Sequence, residues 1–400
     1  MKILHTDFHR GWGGQASRVL MLSEELASRG HEVTIAAPTG QLSERARAAG
    51  RRLPGLRVDD GFRFRPPSRA VSFARDTARM IRLLRGGRFD VVDVHGSQDT
   101  WVTVAARLRL RRPGCLVLTR HNTKRVRTGW PNRLLYGRLI DHLIVVDASV
   151  KALYQAYFDD GTLDPAAVAV VPSAYRAEIF HPGVDGAGVR RELQVPEGAW
   201  VLGVAGRLVP DKGHIHLMRA AAALRARGRR VLLVFAGMGP GEEDLRRQAA
   251  SLGLAGDVRF LGFRSDVAQV MAALDVSVLP SVGCDASSAT IKEAMAVGVP
   301  VVASDIGGAR FLIDDGRTGL VVPPGDEPAL ASAVERLMTG PGRARAMAAA
   351  AQDEVARRFS VSRLADETLA AYQAALEGRG AARRAAAGRA AAVRREGRPA

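Results

Sequence analysis

Short β-branched runs alternate with longer amphipathic stretches along most of the chain. In the first half the runs are "KILHT", "HEVTIAAP", "FDVVDVHG", "CLVLTRHN", "HLIVVDA" and "AVAVVPS". Apolar residues at helical spacing fill most intervals, as in "GGQASRVLMLSEELASRG", Val71–Arg85 and Ser149–Ala156. The pattern then restarts with "VLGVAGRL", "RVLLVFAG", "DVRFLGF", "DVSVLPS", "VPVVAS" and "GLVVPP", with His214–Gly228 as its first crossover helix. Strands alternating with helices predict parallel sheets covered on both faces. Two such series predict an α/β protein of two doubly wound, Rossmann-like domains that face a cleft. The expected domains are 1–178 and 179–360, joined near Ser173–Gly188. A closing helix at 361–377 is expected to pack back on the first domain. The remainder, 378–400, is rich in Ala, Arg and Gly and is expected to be a disordered basic tail.

With 400 residues and 47% apolar content, two cores are affordable. No apolar stretch reaches the length of a membrane span, and charge interrupts the N-terminus too early for a signal peptide. Cys115 and Cys284 are the only cysteines, without metal-ligand spacing. A cytoplasmic location follows as the expectation. The net charge of +17 is uneven: residues 1–180 hold 29 Lys and Arg against 17 Asp and Glu, whereas residues 181–377 are near neutral. A basic first half suits an anionic partner such as a membrane surface, an anionic glycan or nucleic acid.

In open parallel sheets ligands bind beyond the carboxyl ends of the strands, so chemistry is sought there. After the first strand, Gly13 and Gly14 open a helix and let an anion approach the backbone. After "VLGVA" comes "GRLVPDKG", where Arg207 and Lys212 leave a strand end within one short loop and can grip a diphosphate. In "DASSATIKEAMAVGVPVVAS" a helix is expected to start at Ser287 or Ser288 and to stop at Gly298. Asp285 precedes that helix and Glu293 lies within it, about 10–12 Å apart at about 1.5 Å per residue. Free amides and the positive end of a helix dipole lie between them. This suits a ligand with a polar group at each end and an anion in the middle, the shape of a nucleotide-sugar.

"GRLVPDKG", "FAGMGPGEEDL", "VRFLGF", "LPS", an Asp-x7-Glu pair and "EAMAVGVPVVAS", in this order, resemble family 4 of the retaining glycosyltransferases, the group 1 type with the GT-B fold. The resemblance covers about residues 1–375 and is strongest over 200–325. It implies that Arg207 and Lys212 bind the donor diphosphate and stabilise the leaving group. Glu293 would hold the ribose hydroxyls, and Asp285, where the family usually has Glu, the donor sugar. Ser287, Ser288, Ala289 and Thr290 would offer amides to sugar and phosphate. Gly13 and Gly14 would face the phosphates across the cleft, and His121 would lie beside the transferred sugar. Phe263 and Arg264 would hold the base edge. His5 and His9 read as structural or acceptor-side residues.

The resemblance implies transfer of a sugar from a nucleotide-sugar donor to an acceptor, with no cofactor and no required metal. The basic first half favours a glycan or lipid-linked acceptor at a membrane surface, so a role in cell-envelope polysaccharide or lipopolysaccharide synthesis and a peripheral position on the inner face of the cytoplasmic membrane are expected. No nucleic-acid partner is expected. "ASS" replaces the family's usual Gly-Phe-Gly, which bears on the choice of donor sugar. Two other readings stay open: a sugar-nucleotide epimerase on the same architecture, and a basic nucleic-acid-binding protein. Product analysis without acceptor separates the first. The second lacks a recognised motif and has only 5% aromatic residues for stacking.

Overall fold

The computed structural model describes residues 1–111, 114–122, 124–283 and 289–396, with side chains described as far as Arg379. Seven strands form the first sheet: β1 (Lys2–Thr6), β2 (Glu32–Ala36), β3 (Leu56–Asp59), β4 (Val91–Val94), β5 (Cys115–Arg120), β6 (His142–Val145) and β7 (Val168–Val170). Their order is β3-β2-β1-β4-β5-β6-β7, and every pairing is parallel. Six more form the second sheet: β8 (Trp200–Ala205), β9 (Val231–Ala236), β10 (Val258–Gly262), β11 (Val276–Leu279), β12 (Val301–Ser304) and β13 (Leu320–Val322). Their order is β10-β9-β8-β11-β12-β13, again all parallel. The central strands are buried on both faces, which is why their sequences are mostly apolar and do not alternate between a buried and an exposed face.

The sequence pattern did not reveal β3. "LRVD" buries only Leu56 fully, because it is an edge strand with a neighbour on one side only. In each sheet the chain starts at a central strand, winds outward one way, and returns to wind the other. The reversal leaves a crevice beyond β1 and β4 in the first sheet and beyond β8 and β11 in the second.

Two connections tie the halves together. In the segment after β7, buried Arg18 of the first domain donates to the Val171 carbonyl at 3.0 Å. Buried Lys292 of the second domain donates to the Ser173 carbonyl at 2.8 Å. The chain returns at Phe359, whose carbonyl accepts from the Tyr175 amide at 3.2 Å. Helix Val361–Glu396 then lies on the first domain, with Leu364, Ala365, Ala371 and Tyr372 joining the core beside helix Gly14–Ser28. At the surface Arg29 grips Asp366 and Ser362 of this helix.

The closing helix runs on from the expected 361–377 as far as Glu396, into the stretch read from the sequence as a basic tail. Alanine and arginine are among the strongest helix formers, and the isolated glycines do not stop a helix already anchored by packing.

The Tyr372 hydroxyl donates to buried Asp93 Oδ2 at 2.7 Å, deep in the first domain. Tyr372→Phe leaves that carboxyl short of a partner and is expected to lower stability by about 1–3 kcal/mol. Urea unfolding checks this, and an unchanged midpoint would show that the contact does not secure the closing helix.

Candidate active site

The carboxyl ends of β1, β4, β5 and β8 open into one cavity of about 1030 Å³ between the domains. Gly13 and Gly14 line it after β1, His95 and Gly96 after β4, and His121 and Asn122 after β5. Arg207 and Lys212 close it from the second domain, after β8.

The loop carrying the two cations is held by its backbone. The Leu208 amide donates to Met238 O at 3.1 Å, and the Gly241 amide to Leu208 O at 3.0 Å. The Asp211 carbonyl accepts from the amides of Val282 and Gly283 at 2.9 and 3.1 Å. Gly213 ends the loop at φ +66, where a Cβ would meet the Pro280 carbonyl at 1.9 Å, so only glycine fits. Gly13 and Gly14 are different. A Cβ at either would meet no protein atom within 4 Å, so packing does not demand glycine there, and the space kept open is that of the cavity wall.

His121 belongs to a chain of histidines reaching inward. His121 Nε2 lies 2.9 Å from His95 Nδ1, and His95 Nε2 lies 3.1 Å from His5 Nδ1. Burial first, then neighbouring positive groups, holds His95 and His121 well below the usual imidazole range and His5 at about 3. At neutral pH these rings are uncharged, so His121 offers the cavity a hydrogen-bonding group and no cation. Behind them, burial pushes Asp93 up to about 7 against the opposing hydrogen bonds from Tyr372 and Thr119. His5, Asp93 and His95 form one cluster with metal-ligand character among the described residues, their ligand atoms lying within 4.8 Å of one another. Their side chains are engaged in this hydrogen-bond network. His9, at the cavity, is a separate case: its bond to Asp7 at 2.9 Å raises its pKa.

The structure therefore brings Gly13, Gly14, His121, Arg207 and Lys212 to one cavity. Ala289 and Thr290 start helix Ala289–Val297, and the Thr290 hydroxyl donates to the Ala205 carbonyl at the end of β8 at 3.2 Å. Glu293 lies one turn further on. Asp285, Ser287 and Ser288 lie outside the described residues. Phe263 and Arg264 are not among the cavity's lining residues. Phe263 is 73% exposed, and Arg264 is forked between Glu192 at 2.6 and 3.0 Å and Asp266 at 2.7 Å. Residues that the sequence reading did not single out are His95 and the cationic loop Arg120, Lys124, Arg125 and Arg127, all of which line the cavity. The loop was visible as "RHNTKRVR" directly after a strand.

Two parallel-sheet domains facing a cleft make the architecture of the GT-B fold. Residues 12–178 match the model of Glycosyltransferase Family 4 and residues 188–354 that of Glycosyl transferases group 1. The chain belongs to this family and is a glycosyltransferase. It is 31% identical over 372 residues to a phosphatidyl-myo-inositol mannosyltransferase of Mycobacterium leprae, covering 90% of this chain and 93% of that enzyme. A D-inositol 3-phosphate glycosyltransferase of Stackebrandtia nassauensis is 38% identical over 227 residues, 54% of this chain and 51% of that enzyme. Among solved structures, Anabaena HepE in complex with UDP superposes with a TM-score of 0.77 at 23% identity, covering 92% of this chain and 98% of that one.

Burial pushes the Glu293 carboxyl up to about 7 against the opposing charge of Lys292. A glutamate raised in the folded state binds its proton more tightly there than in the unfolded chain. Its stabilising contribution is therefore complete at acid pH and is lost as pH rises from about 4.5 to about 7. Asp93 and Asp99 are also raised to about 7 and add the same trend, so the variant difference is the informative quantity. Glu293→Gln is expected to gain up to about 3 kcal/mol relative to the parent between pH 5 and pH 8. Urea unfolding at the two pH values checks this, and an equal difference at both would contradict the buried carboxyl.

Proposed function

We propose that this glycosyltransferase is a retaining enzyme. In this reading it moves a sugar from a nucleotide-sugar donor to a glycan or lipid-linked acceptor in cell-envelope polysaccharide or lipopolysaccharide synthesis. The observation that carries the reading is the cavity itself, where Arg207 and Lys212 face the open glycine loop across the cleft. The UDP bound to HepE and the inositol-derived acceptors in its relatives' names support it. They favour it over the epimerase and nucleic-acid readings.

Among the described residues lining the cavity there is no carboxylate, and three are histidines. Such a site suits a path in which the leaving phosphate is itself the base. The bond from the anomeric carbon to the phosphate oxygen breaks, and the acceptor oxygen bonds to that carbon from the same face. The acceptor proton passes to the departing phosphate. Negative charge grows on the diphosphate along this path. Arg207, Lys212 and the amides at the start of the helix containing Ala289 and Thr290 then stabilise the transition state more than the ground state. These groups do the neutralisation that a metal would otherwise supply, so the reaction is read as metal-independent. His121 would orient the sugar as a neutral partner. Glu293 would take the ribose hydroxyls, which offset the cost of ionising it where it is buried. Asp285 and residues Ser287 to Thr290 would meet the sugar and phosphate. Arg264 and Phe263 would reach the base only if Arg264 left its two carboxylates.

No helix among the described residues is long and apolar enough to cross a membrane. The basic first half supports a peripheral position on an anionic surface, at the inner face of the cytoplasmic membrane.

A melting-shift screen of UDP-, GDP- and ADP-sugars identifies the donor. With that donor, Arg207→Ala and Lys212→Ala are each expected to raise the barrier by about 2–4 kcal/mol while leaving the circular dichroism spectrum intact. The product is expected to keep the donor's anomeric configuration. Near-normal turnover in either variant, or an inverted product by proton NMR, would overturn the assignment.

A further inference from the structure

Six cationic side chains line the cavity: Arg207 and Lys212 on one wall, and Arg120, Lys124, Arg125 and Arg127 on the other. The first two, with the glycine loop, match one nucleoside diphosphate. The second four follow β5 in a single loop of the first domain and are more charge than that donor needs.

The loop is organised by its backbone. Arg120 donates from Nε to the Asn122 carbonyl at 3.2 Å and from its terminal nitrogen to the Lys124 carbonyl at 2.5 Å. The Asn122 side chain accepts from the Lys124 amide at 3.2 Å. Val126 is buried in the first-domain core. The Arg127 carbonyl accepts from Asn132 at 2.7 Å and from the Tyr157 hydroxyl at 2.5 Å. Arg120 is thus a strut, and the loop is pinned on both sides of Val126. The side chains of Lys124, Arg125 and Arg127 stay exposed at the cavity.

None of these three pairs with a carboxylate among the described residues. Most of the second domain's arginines behave otherwise: Arg225 pairs with Asp257, Arg227 and Arg229 with Glu335, Arg310 with Asp305, and Arg358 with Glu354. Three like charges held within four residues, beside a cavity whose described lining contains no acid, repel one another until an anion arrives. Arginine favours phosphate through its forked donors.

We propose that Lys124, Arg125 and Arg127 form an acceptor subsite for a phosphate carried on a polyol or sugar. The phosphate is either a soluble monoester or the diester of a lipid headgroup. The proposal deepens the donor reading above and rests on it, since the donor must occupy the opposite wall.

The test fills the donor wall first. The enzyme is saturated with the nucleoside diphosphate selected by the screen and then titrated calorimetrically with myo-inositol 1-phosphate or myo-inositol. A parallel arm measures sedimentation with phosphatidylcholine vesicles, with and without phosphatidylinositol. Binding of the phosphorylated probe in either arm, over its neutral control, is expected. The Arg125→Gln/Arg127→Gln variant is expected to weaken it by about tenfold or more, with nucleotide affinity and melting unchanged. Response to the soluble probe marks a monoester acceptor, and response to vesicles alone marks a lipid headgroup. Equal binding of phosphorylated and neutral probes, or an unaffected variant, overturns the subsite while nucleotide binding keeps the donor reading intact. Loss of nucleotide binding by the parent enzyme would overturn both.

Discussion

Parallel pairing throughout each sheet brings every strand's carboxyl end to one edge, and the remaining features follow from that constraint. A single such edge is a shallow crevice. Here the two edges face one another, and residues from β1, β4, β5 and β8 share one cavity despite sequence separations of up to about two hundred residues. The sheets supply rigid strand ends, and the loops beyond them carry the chemistry. The connection between the halves is correspondingly lean, two stretches of chain near residues 171–175 and 359 held by hydrogen bonds from Arg18, Lys292 and the Tyr175 amide.

The electrostatics divide by depth. Deep groups are driven toward neutrality by burial: His5, His95 and His121 as free imidazoles, and Asp93 and Glu293 at about 7. The Lys and Arg side chains of the cleft line its open walls, nearer solvent. An incoming dianion therefore meets the cationic side chains of the cleft backed by uncharged imidazoles and by carboxyls whose ionisation burial opposes. This arrangement stabilises charge that develops on a leaving group, with little reorganisation when it does so.

The strands were legible because β-branched runs between glycine and proline leave few alternatives. β3 escaped because an edge strand with one fully buried residue has no comparable signal. Arg207, Lys212, Gly13 and Gly14 stood out because they lie in loops that follow strands, and His121 through the family resemblance; the structure brings all five to one cavity. The inner partners of His121 did not stand out, since His5 and His95 lie 90 residues apart and their contact exists only once β1 pairs with β4. Arg264 shows the converse limit: its place in the motif order was clear, but its two carboxylate partners, one of them Glu192, become visible only in three dimensions. The closing helix extends past Glu377 into a stretch whose Ala/Arg/Gly composition is shared by disordered tails and by helices anchored elsewhere.

The central claim is that the space between Gly14 and the Arg207/Lys212 pair is kept open for a diphosphate. Gly14 allows a direct test because a Cβ there meets no protein atom within 4 Å. The measurement is calorimetric titration of Gly14→Val with the preferred nucleoside diphosphate, beside its melting curve. The account predicts unchanged melting and affinity weakened by about tenfold or more, since the added methyl groups occupy ligand space and no protein packing is disturbed. Undiminished nucleotide affinity in a folded Gly14→Val variant would contradict it.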